Sequence, residues 1–181
     1  MAFPAVHLTG CFPEADGFVL LDPVRLDQHI GADSAGRDLL ELFTTTDAGD
    51  AVVREGIAIP LMGVAAGYYT VLVRHVADHP PWPAAAFSSP GWVLGTVTGS
   101  LLLCGVGYLT DWMPGHPRHH RVTVPPGWYA TEVRGHDHAE GSDDAGYEFL
   151  LTPTLARPTL RADPAQRFGP RRGHTGHPGR H

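Results

Sequence analysis

The chain has 181 residues, of which 43% are hydrophobic and 18% charged, and this composition supports a packed core and excludes a disordered polymer. It contains no lysine, and residues 1–153 carry 7 arginines against 18 acidic residues, a net charge of −11. Because such a body repels phosphates, the charge excludes nucleic acid and anionic membrane as partners and favours a basic protein.

The predicted elements are mostly strands, because 22 glycines and 17 prolines accompany β-branched and aromatic runs. We expect strands over 18–21, 51–54, 57–59, 69–73, 101–104, 121–124, 128–134 and 147–151. The run at 33–43 predicts one short helix, with Ser34 as its N-cap.

Residues 91–110 form a 20-residue segment without a charge. Its five glycines weaken any membrane span, so we interpret it as two strands joined by a glycine turn. Within it, Leu101 to Cys104 do not alternate with polar residues, which is typical of a strand covered on both faces. No Arg or Lys precedes the short apolar stretch near the N-terminus. We therefore expect no signal peptide and a cytoplasmic protein.

A repeated motif divides the chain into two related halves. The pattern V-x-x-G-(Y/W)-Y-x-x-x-V-R occurs at 64–74 and again at 124–134, and weaker echoes link 17–20 with 91–94 and 36–40 with 99–103. The halves, about 1–78 and 88–156, are separated by a connection with four prolines in 79–90. We therefore predict an all-β fold, an antiparallel β-sandwich over 1–156 in which two repeats supply the two sheets. Residues 157–181 are expected to be a flexible basic tail of Gly, Pro, His and Arg.

The tyrosine of each motif copy is interpreted as structural. Period-2 alternation points Tyr129 and Val133 inward and Glu132 and Arg134 outward. A Pro-Pro-Gly turn before Tyr129 resembles the tyrosine corner of Greek-key sandwiches, in which the hydroxyl bonds to nearby backbone. Tyr69 is expected to do the same in the first copy.

No familiar catalytic motif is present, so we do not expect an enzyme. The nucleophile elbow G-x-S-x-G, the phosphate loop and H-E-x-x-H are all missing. The 12 histidines offer one alternative, because His-x-His on an extended segment places two imidazoles on one side. A zinc site would use His116, His119, His120, His136 and His138. These residues could equally be exposed loop histidines.

Four carboxylates concentrate in one predicted loop, residues 135–146, which we call the acidic loop. They are Asp137, Glu140, Asp143 and Asp144. Their spacing lacks the pattern of a calcium-binding hand. The loop is either a solvated connection or a contact surface that attracts a basic partner.

Several motifs of the second half resemble a known family. They are Gly91-Trp-Val, Gly99-Ser-Leu-Leu-Leu-Cys-Gly105, Val122-Thr-Val-Pro-Pro-Gly-Trp-Tyr129 and Tyr147-Glu-Phe-Leu-Leu-Thr-Pro153. This stretch is similar to small bacterial β-sandwich proteins distantly related to competence protein J, an acidic inhibitor of a partner nuclease. The resemblance, spanning roughly 5–155, implies a β-sandwich and a nuclease-inhibiting or immunity-type role. It assigns no inhibitory residue to this chain.

Three hypotheses of function follow. The first is a non-enzymatic acidic binding protein without a cofactor, an inhibitor or immunity protein that covers a basic nuclease or toxin. The second is a histidine-rich zinc protein or metalloenzyme. The third is a structural module that self-associates through sheet edges, in an oligomeric state that the sequence leaves open.

Overall fold

The computed structural model describes residues 2–31, 34–80, 82, 85–137 and 145–169. Within these residues the chain forms strands β1 to β9, helices α1 to α3 and two short 3-10 turns. The strands are Val6–Cys11, Gly17–Leu21, Ala58–Met62, Tyr69–His75, Phe87–Thr96, Ser100–Gly105, His120–Thr123, Gly127–His136 and Gly146–Thr154. The helices are Pro23–Ile30, Leu39–Thr45 and Ala48–Arg54, and the turns are Glu14–Asp16 and Val106–Leu109.

The strands form two sheets, of order β1-β4-β9-β8-β5 and β3-β2-β6-β7. The prediction of a β-rich fold is confirmed, but a purely antiparallel arrangement is wrong, because β4 and β9 are parallel. The reason is geometric. Strand β9 lies between β4 and β8, which run in opposite directions, so it can be antiparallel to only one of them, and that one is β8.

The inner faces of both sheets share one apolar core. Phe18, Leu20, Leu101 and Leu103 of the four-stranded sheet belong to the same buried cluster as Tyr129 and Phe149 of the five-stranded sheet. On the opposite side of β6, Leu102 and Cys104 pack in a second cluster against the helices. The prediction that β6 is covered on both faces is therefore confirmed.

A layer of helices covers the outer face of the four-stranded sheet, and the all-β prediction lacked it. Residues 51–54, predicted as a strand, belong to α3. A run as short as Ala51-Val-Val-Arg54 fits either periodicity, and packing of Val52 against the outer sheet face decides for the helix. Helix α2 begins after Asp38 rather than after Ser34, since the Asp38 carboxylate accepts from the Glu41 N–H at 2.8 Å.

The two halves interleave, so the prediction that each supplies one sheet is wrong. In residues 1–78, β1 pairs with β4 and β2 with β3; in 88–156, β5 pairs with β8 and β6 with β7. The chain crosses between the sheets after β1, β3, β5 and β7, so both sheets contain strands of both halves. The two motif copies lie on β4 and β8, which flank β9 in the sheet. The weaker sequence echoes do not mark equivalent elements, because one relates the start of α2 to β6 and the other relates β2 to β5.

The uncharged segment 91–110 contributes two strands, as predicted. Strand β5 ends at Thr96 and β6 begins at Ser100, and Gly99 in the turn has a φ of +80° that favours glycine. Throughout the described part of the chain, the helices are too short or too polar to cross a membrane.

Residues 157–169 belong to the folded domain, which corrects the predicted boundary at 156. The Phe168 ring is buried in the core cluster beside Phe87 and Trp92. The Tyr147 hydroxyl donates to the Phe168 carbonyl at 2.8 Å, and the Arg161 N–H donates to the Gly91 carbonyl at 2.9 Å. Gly and Pro predicted a flexible tail, but the buried Phe168 ring and these hydrogen bonds anchor the segment. Residues 170–181 lie outside the described residues.

Candidate functional site

The acidic loop connects β8 to β9. Asp137 directly follows β8 and is exposed. Glu140, Asp143 and Asp144 lie outside the described residues, as does His138. The loop therefore starts at the edge of the five-stranded sheet where β8 ends and β9 begins. A group of buried polar side chains lies beside this point, on the outer face of the sheet.

Arg74, His136 and Glu148 form that buried group. The Glu148 carboxylate accepts from the Arg74 Nε through Oε1 and lies 3.1 Å from His136 Nε2 through Oε2. The Arg74 guanidinium also donates to the Asp78 carbonyl at 2.8 Å, and the Trp82 ring lies 4.7 Å from the His136 ring. All three side chains are more than nine-tenths buried. Trp82 in the proline-rich connection covers this group.

The electrostatics of this group favour an ionised carboxylate. Burial raises the pKa of Glu148, but the His136 hydrogen bond and the Arg74 charge outweigh it, so the pKa lies below the ordinary 4.5. His136 is thus engaged by Glu148 on one ring nitrogen. This arrangement joins three strands of the sheet and holds the base of the acidic loop in place.

The histidines of 116–120 lie in a different environment. The ring centroids of His116 and His119 are 5.3 Å apart, and the Trp112 ring stacks on His119 at 5.2 Å. Burial lowers the pKa of His119 and of His120, which favours neutral imidazoles at pH 7. The structure therefore brings His116 and His119 together as part of an aromatic cluster with Tyr108.

The described residues do not form a ligand set for the predicted zinc site. In that part of the chain, no group of three or more His, Cys, Asp or Glu side chains is arranged to hold a metal ion. His119 packs on Trp112, whereas His136 contacts Glu148 and Trp82. The zinc site stays a prediction that includes His138, which is not described.

A cleft of about 440 Å³ opens beside the turn Glu14–Asp16. Its rim includes Phe12 and Tyr68, which are exposed and contact each other edge to face, and its wall includes Cys11 and Cys104. Burial raises the pKa of each thiol to about 12. Because the thiolate is the nucleophile, neither cysteine is prepared for covalent catalysis.

The helices carry a second acidic surface, which the residue pattern did not predict. Asp38, Glu41, Asp47 and Asp50 are exposed on α2, α3 and the residues that precede them, and we call them the acidic helical rim. Below lies the helical groove, an apolar depression of about 280 Å³ between α2, α3 and the four-stranded sheet. Because 51–54 was predicted as a strand, the sequence did not indicate this surface. Helix α2 could have been predicted, because an N-cap residue is followed by an acidic residue in the first turn.

Comparison with known proteins gives distant structural similarities. No protein-family model matches the chain, and no curated protein sequence matches it. The fold is similar to that of ComJ from Bacillus subtilis, inhibitor of the DNA-degrading activity of NucA, with a TM-score of 0.48, 8% identity and coverage of 85% of this chain and 98% of that one. It is also similar to the protein of crocagin biosynthetic gene J, with a TM-score of 0.45, 20% identity and coverage of 82% and 95%. The distant resemblance to competence protein J that the sequence indicated is confirmed.

Proposed function

We propose that this chain is a non-enzymatic acidic binding protein that covers a basic surface of a protein partner. The observation that carries the proposal is the net charge of −11 over residues 1–153, with exposed carboxylates at the acidic helical rim and at Asp137. A negative field of this size speeds association with a basic protein and selects against acidic ones.

The partner class that we propose is a nuclease or toxin with a basic substrate-binding surface. Proteins that bind nucleic acid neutralise phosphates with Lys and Arg, and an acidic protein can occupy the same side chains and block the substrate. The role is that of an inhibitor or immunity protein, without a cofactor, in the cytoplasm.

The contact residues that we propose are Asp137, Glu140, Asp143 and Asp144. Loops of this length are uncommon between adjacent strands and frequently carry function. The buried Arg74–Glu148–His136 group supports the loop at its base, because it fixes the ends of both flanking strands.

The experiment begins by capturing partners with the tagged chain at low and at high salt. The captured protein is then purified, and its DNA cleavage is measured against increasing amounts of the chain. We expect a basic nuclease that is retained at low salt, released at high salt and inhibited at equimolar chain. A partner that is not basic, or a nuclease whose cleavage is unaffected, would contradict the proposed function.

Matched variants test the contact residues. We expect Asp143→Asn with Asp144→Asn to weaken partner binding about tenfold, which corresponds to about 1.4 kcal/mol. The control is Asp111→Asn with Asp163→Asn, which removes the same charge from exposed positions elsewhere and should weaken binding less than twofold. Equal effects of the two pairs would show that the loop is not the contact.

A further inference from the structure

The helical groove is an apolar depression beside the acidic helical rim. It is lined by side chains from α2, α3, β2 and β3, including Leu40, Phe43, Val52, Ala58 and Met62. Leu40, Phe43 and Met62 are only partly buried and pack against the second core cluster, so apolar surface is accessible from solvent. A depression with accessible apolar side chains can receive the apolar side chains of a partner.

Carboxylates lie at and beside this apolar surface. Asp50 itself lines the groove, and Glu41 directly follows the lining residue Leu40. Residues 22–55, which contain all three helices, hold eight acidic residues and three arginines. A partner that enters the groove with apolar side chains therefore meets negative charge at the edges.

We propose that the helical groove binds a cationic amphipathic segment of the partner, with aliphatic or aromatic side chains in the groove and Lys or Arg side chains on the acidic helical rim. The inference rests on the proposed function, since it takes the partner to be a basic protein. It adds a specific anchor to an otherwise long-range attraction, as groove-bound amphipathic helices do in other complexes.

The lining of the groove favours side chains of a segment over a free small molecule. The groove volume of about 280 Å³ is close to the lower end of the range of about 300–1,000 Å³ that is typical of small-molecule sites, so size does not separate the two. Its lining supplies few polar groups, beyond Thr44 and Asp50, to orient a small ligand. A few aliphatic side chains or one aromatic ring need only apolar contact.

Neither the chain's own C-terminus nor a second copy has the required composition. The segment 169–181 contains Arg, His, Gly, Pro and Thr and has no Leu, Ile, Val, Met, Phe, Tyr or Trp side chain to fill the groove. The remainder of the chain has no lysine and is strongly acidic, so two copies would repel each other at this face. A cationic segment from another protein is the complementary occupant.

The test uses the full chain and three fluorescein-labelled synthetic peptides, followed by fluorescence anisotropy. The first is an amphipathic Leu/Lys helix, the second has Ser in place of Leu, and the third has Glu in place of Lys. We expect the Leu/Lys peptide to bind at least tenfold more tightly than the Ser/Lys peptide and the Leu/Glu peptide not to bind. Equal binding of the two lysine peptides would reduce the effect to charge alone and overturn the inference.

Variants of the chain locate the binding. Ala58→Leu fills the groove from β3, and Glu41→Lys with Asp50→Lys reverses the rim on exposed positions. We expect each change to weaken binding of the Leu/Lys peptide about tenfold or more. The control Asp16→Lys with Glu132→Lys reverses two charges outside the groove lining and should change it less than twofold. Circular dichroism verifies folding, and the rim variant keeps the test valid if Ala58→Leu does not fold. Unchanged affinity in a folded groove or rim variant would refute the site.

Sedimentation of the full chain tests whether a second copy of the chain occupies the groove. We expect a monomer at concentrations above those of the peptide assay. A dimer that is lost in Glu41→Lys with Asp50→Lys would make a second copy the occupant and overturn the inference.

The two proposals fail separately. Suppose that the captured nuclease binds the rim variant as tightly as it binds the parent chain. That result would refute the groove as the binding site and leave the proposed function intact. If the peptide results hold but the captured partner is not a nuclease, the groove stands and the proposed partner class is wrong.

Discussion

Nε2 of His136 lies 3.1 Å from Oε2 of Glu148, at a point where both side chains are almost completely buried. The second carboxylate oxygen of Glu148 accepts from Arg74 on the opposite side. One carboxylate thus links β4, β8 and β9 on the face turned away from the core. Since each partner loses its water on folding, the group is stable only while all three members are present.

Replacing Glu148 with Gln should reduce the free energy of unfolding by about 3 kcal/mol, because it leaves the buried Arg74 guanidinium without a counter-charge. The measurement is urea unfolding followed by circular dichroism. The control is Glu132→Gln on the same outer face, where the half-exposed pair with Arg134 should be worth about 0–1 kcal/mol. Similar losses in the two variants would show that the buried group has no special weight.

The same carboxylate should make the fold sensitive to acid. Its pKa is below 4.5 in the folded chain, where burial opposes ionisation but His136 and Arg74 outweigh it, and returns to the ordinary value on unfolding. The unfolded chain therefore takes up the proton first as pH falls. The contribution of Glu148 is complete above about pH 5 and is lost progressively as the pH falls through the folded pKa.

Unfolding curves measured from pH 7 to pH 3 test this dependence. We expect the difference in unfolding free energy between the parent chain and Glu148→Gln to shrink as the pH falls below 4.5. A difference that stays constant over this range would mean that Glu148 has the same pKa in both states.

The two tyrosine corners should contribute equally. The Tyr69 hydroxyl donates to the Ala65 carbonyl at 2.9 Å, and the Tyr129 hydroxyl donates to the Pro125 carbonyl at 2.5 Å, both four residues back. Tyr→Phe at either position keeps the ring in the core and should cost about 1 kcal/mol. Tyr68→Phe is the control, because this ring is exposed, and should change stability by less than about 0.5 kcal/mol. A cost confined to one copy would show that the two corners are not equivalent.

Residue periodicity predicted the central strands. Burial of one or both faces of a strand determines which of its residues are apolar, and the same burial determines where the strand lies in the sheet. Alternation identified the inward face of β8, and its absence identified β6 as a strand covered on both faces. The tyrosine corners followed from turn chemistry. These are local signals that each need only a few neighbouring residues.

The remainder depends on contacts between distant segments. The burial of Glu148 requires Arg74 from another strand and Trp82 from the connection, and sequence spacing carries no sign of their meeting. The acidic helical rim was missed because 51–54 fits a strand as well as a helix. The local start of α1 was readable, since Asp22 caps it at 2.8 Å from the Val24 nitrogen and Pro23 follows as the first helical residue.

Cys11 and Cys104 should react with Ellman's reagent only when the chain unfolds. Both are free and buried, and burial raises the pKa of each thiol to about 12, so almost no thiolate forms at pH 8. We expect no absorbance change in native buffer during a time in which the denatured chain releases the equivalent of both thiols. Rapid labelling of one cysteine in the native chain would place that thiol in an open part of the cleft.

The segment 157–169 should be required for the stability of the domain, and the reason is Phe168. Its ring packs with Phe87 and Trp92 between the sheets, so Phe168→Ala leaves a cavity and should reduce the free energy of unfolding by about 3–5 kcal/mol. Leu155→Ala is the control, because Leu155 is fully exposed, and should change it by less than about 0.5 kcal/mol.

Truncation separates this segment from the residues beyond it. A chain ending at Gly169 keeps the Phe168 ring, the Tyr147 hydrogen bond and the contact of Arg161 with Gly91, so it should unfold at the same urea concentration as the full chain. A chain ending at Ala156 loses all three and should unfold at a clearly lower concentration, with more apolar surface exposed to a hydrophobic dye. If the two truncated chains were equally stable, Phe168 would fill no space that the core needs, and the domain would end where the composition first suggested.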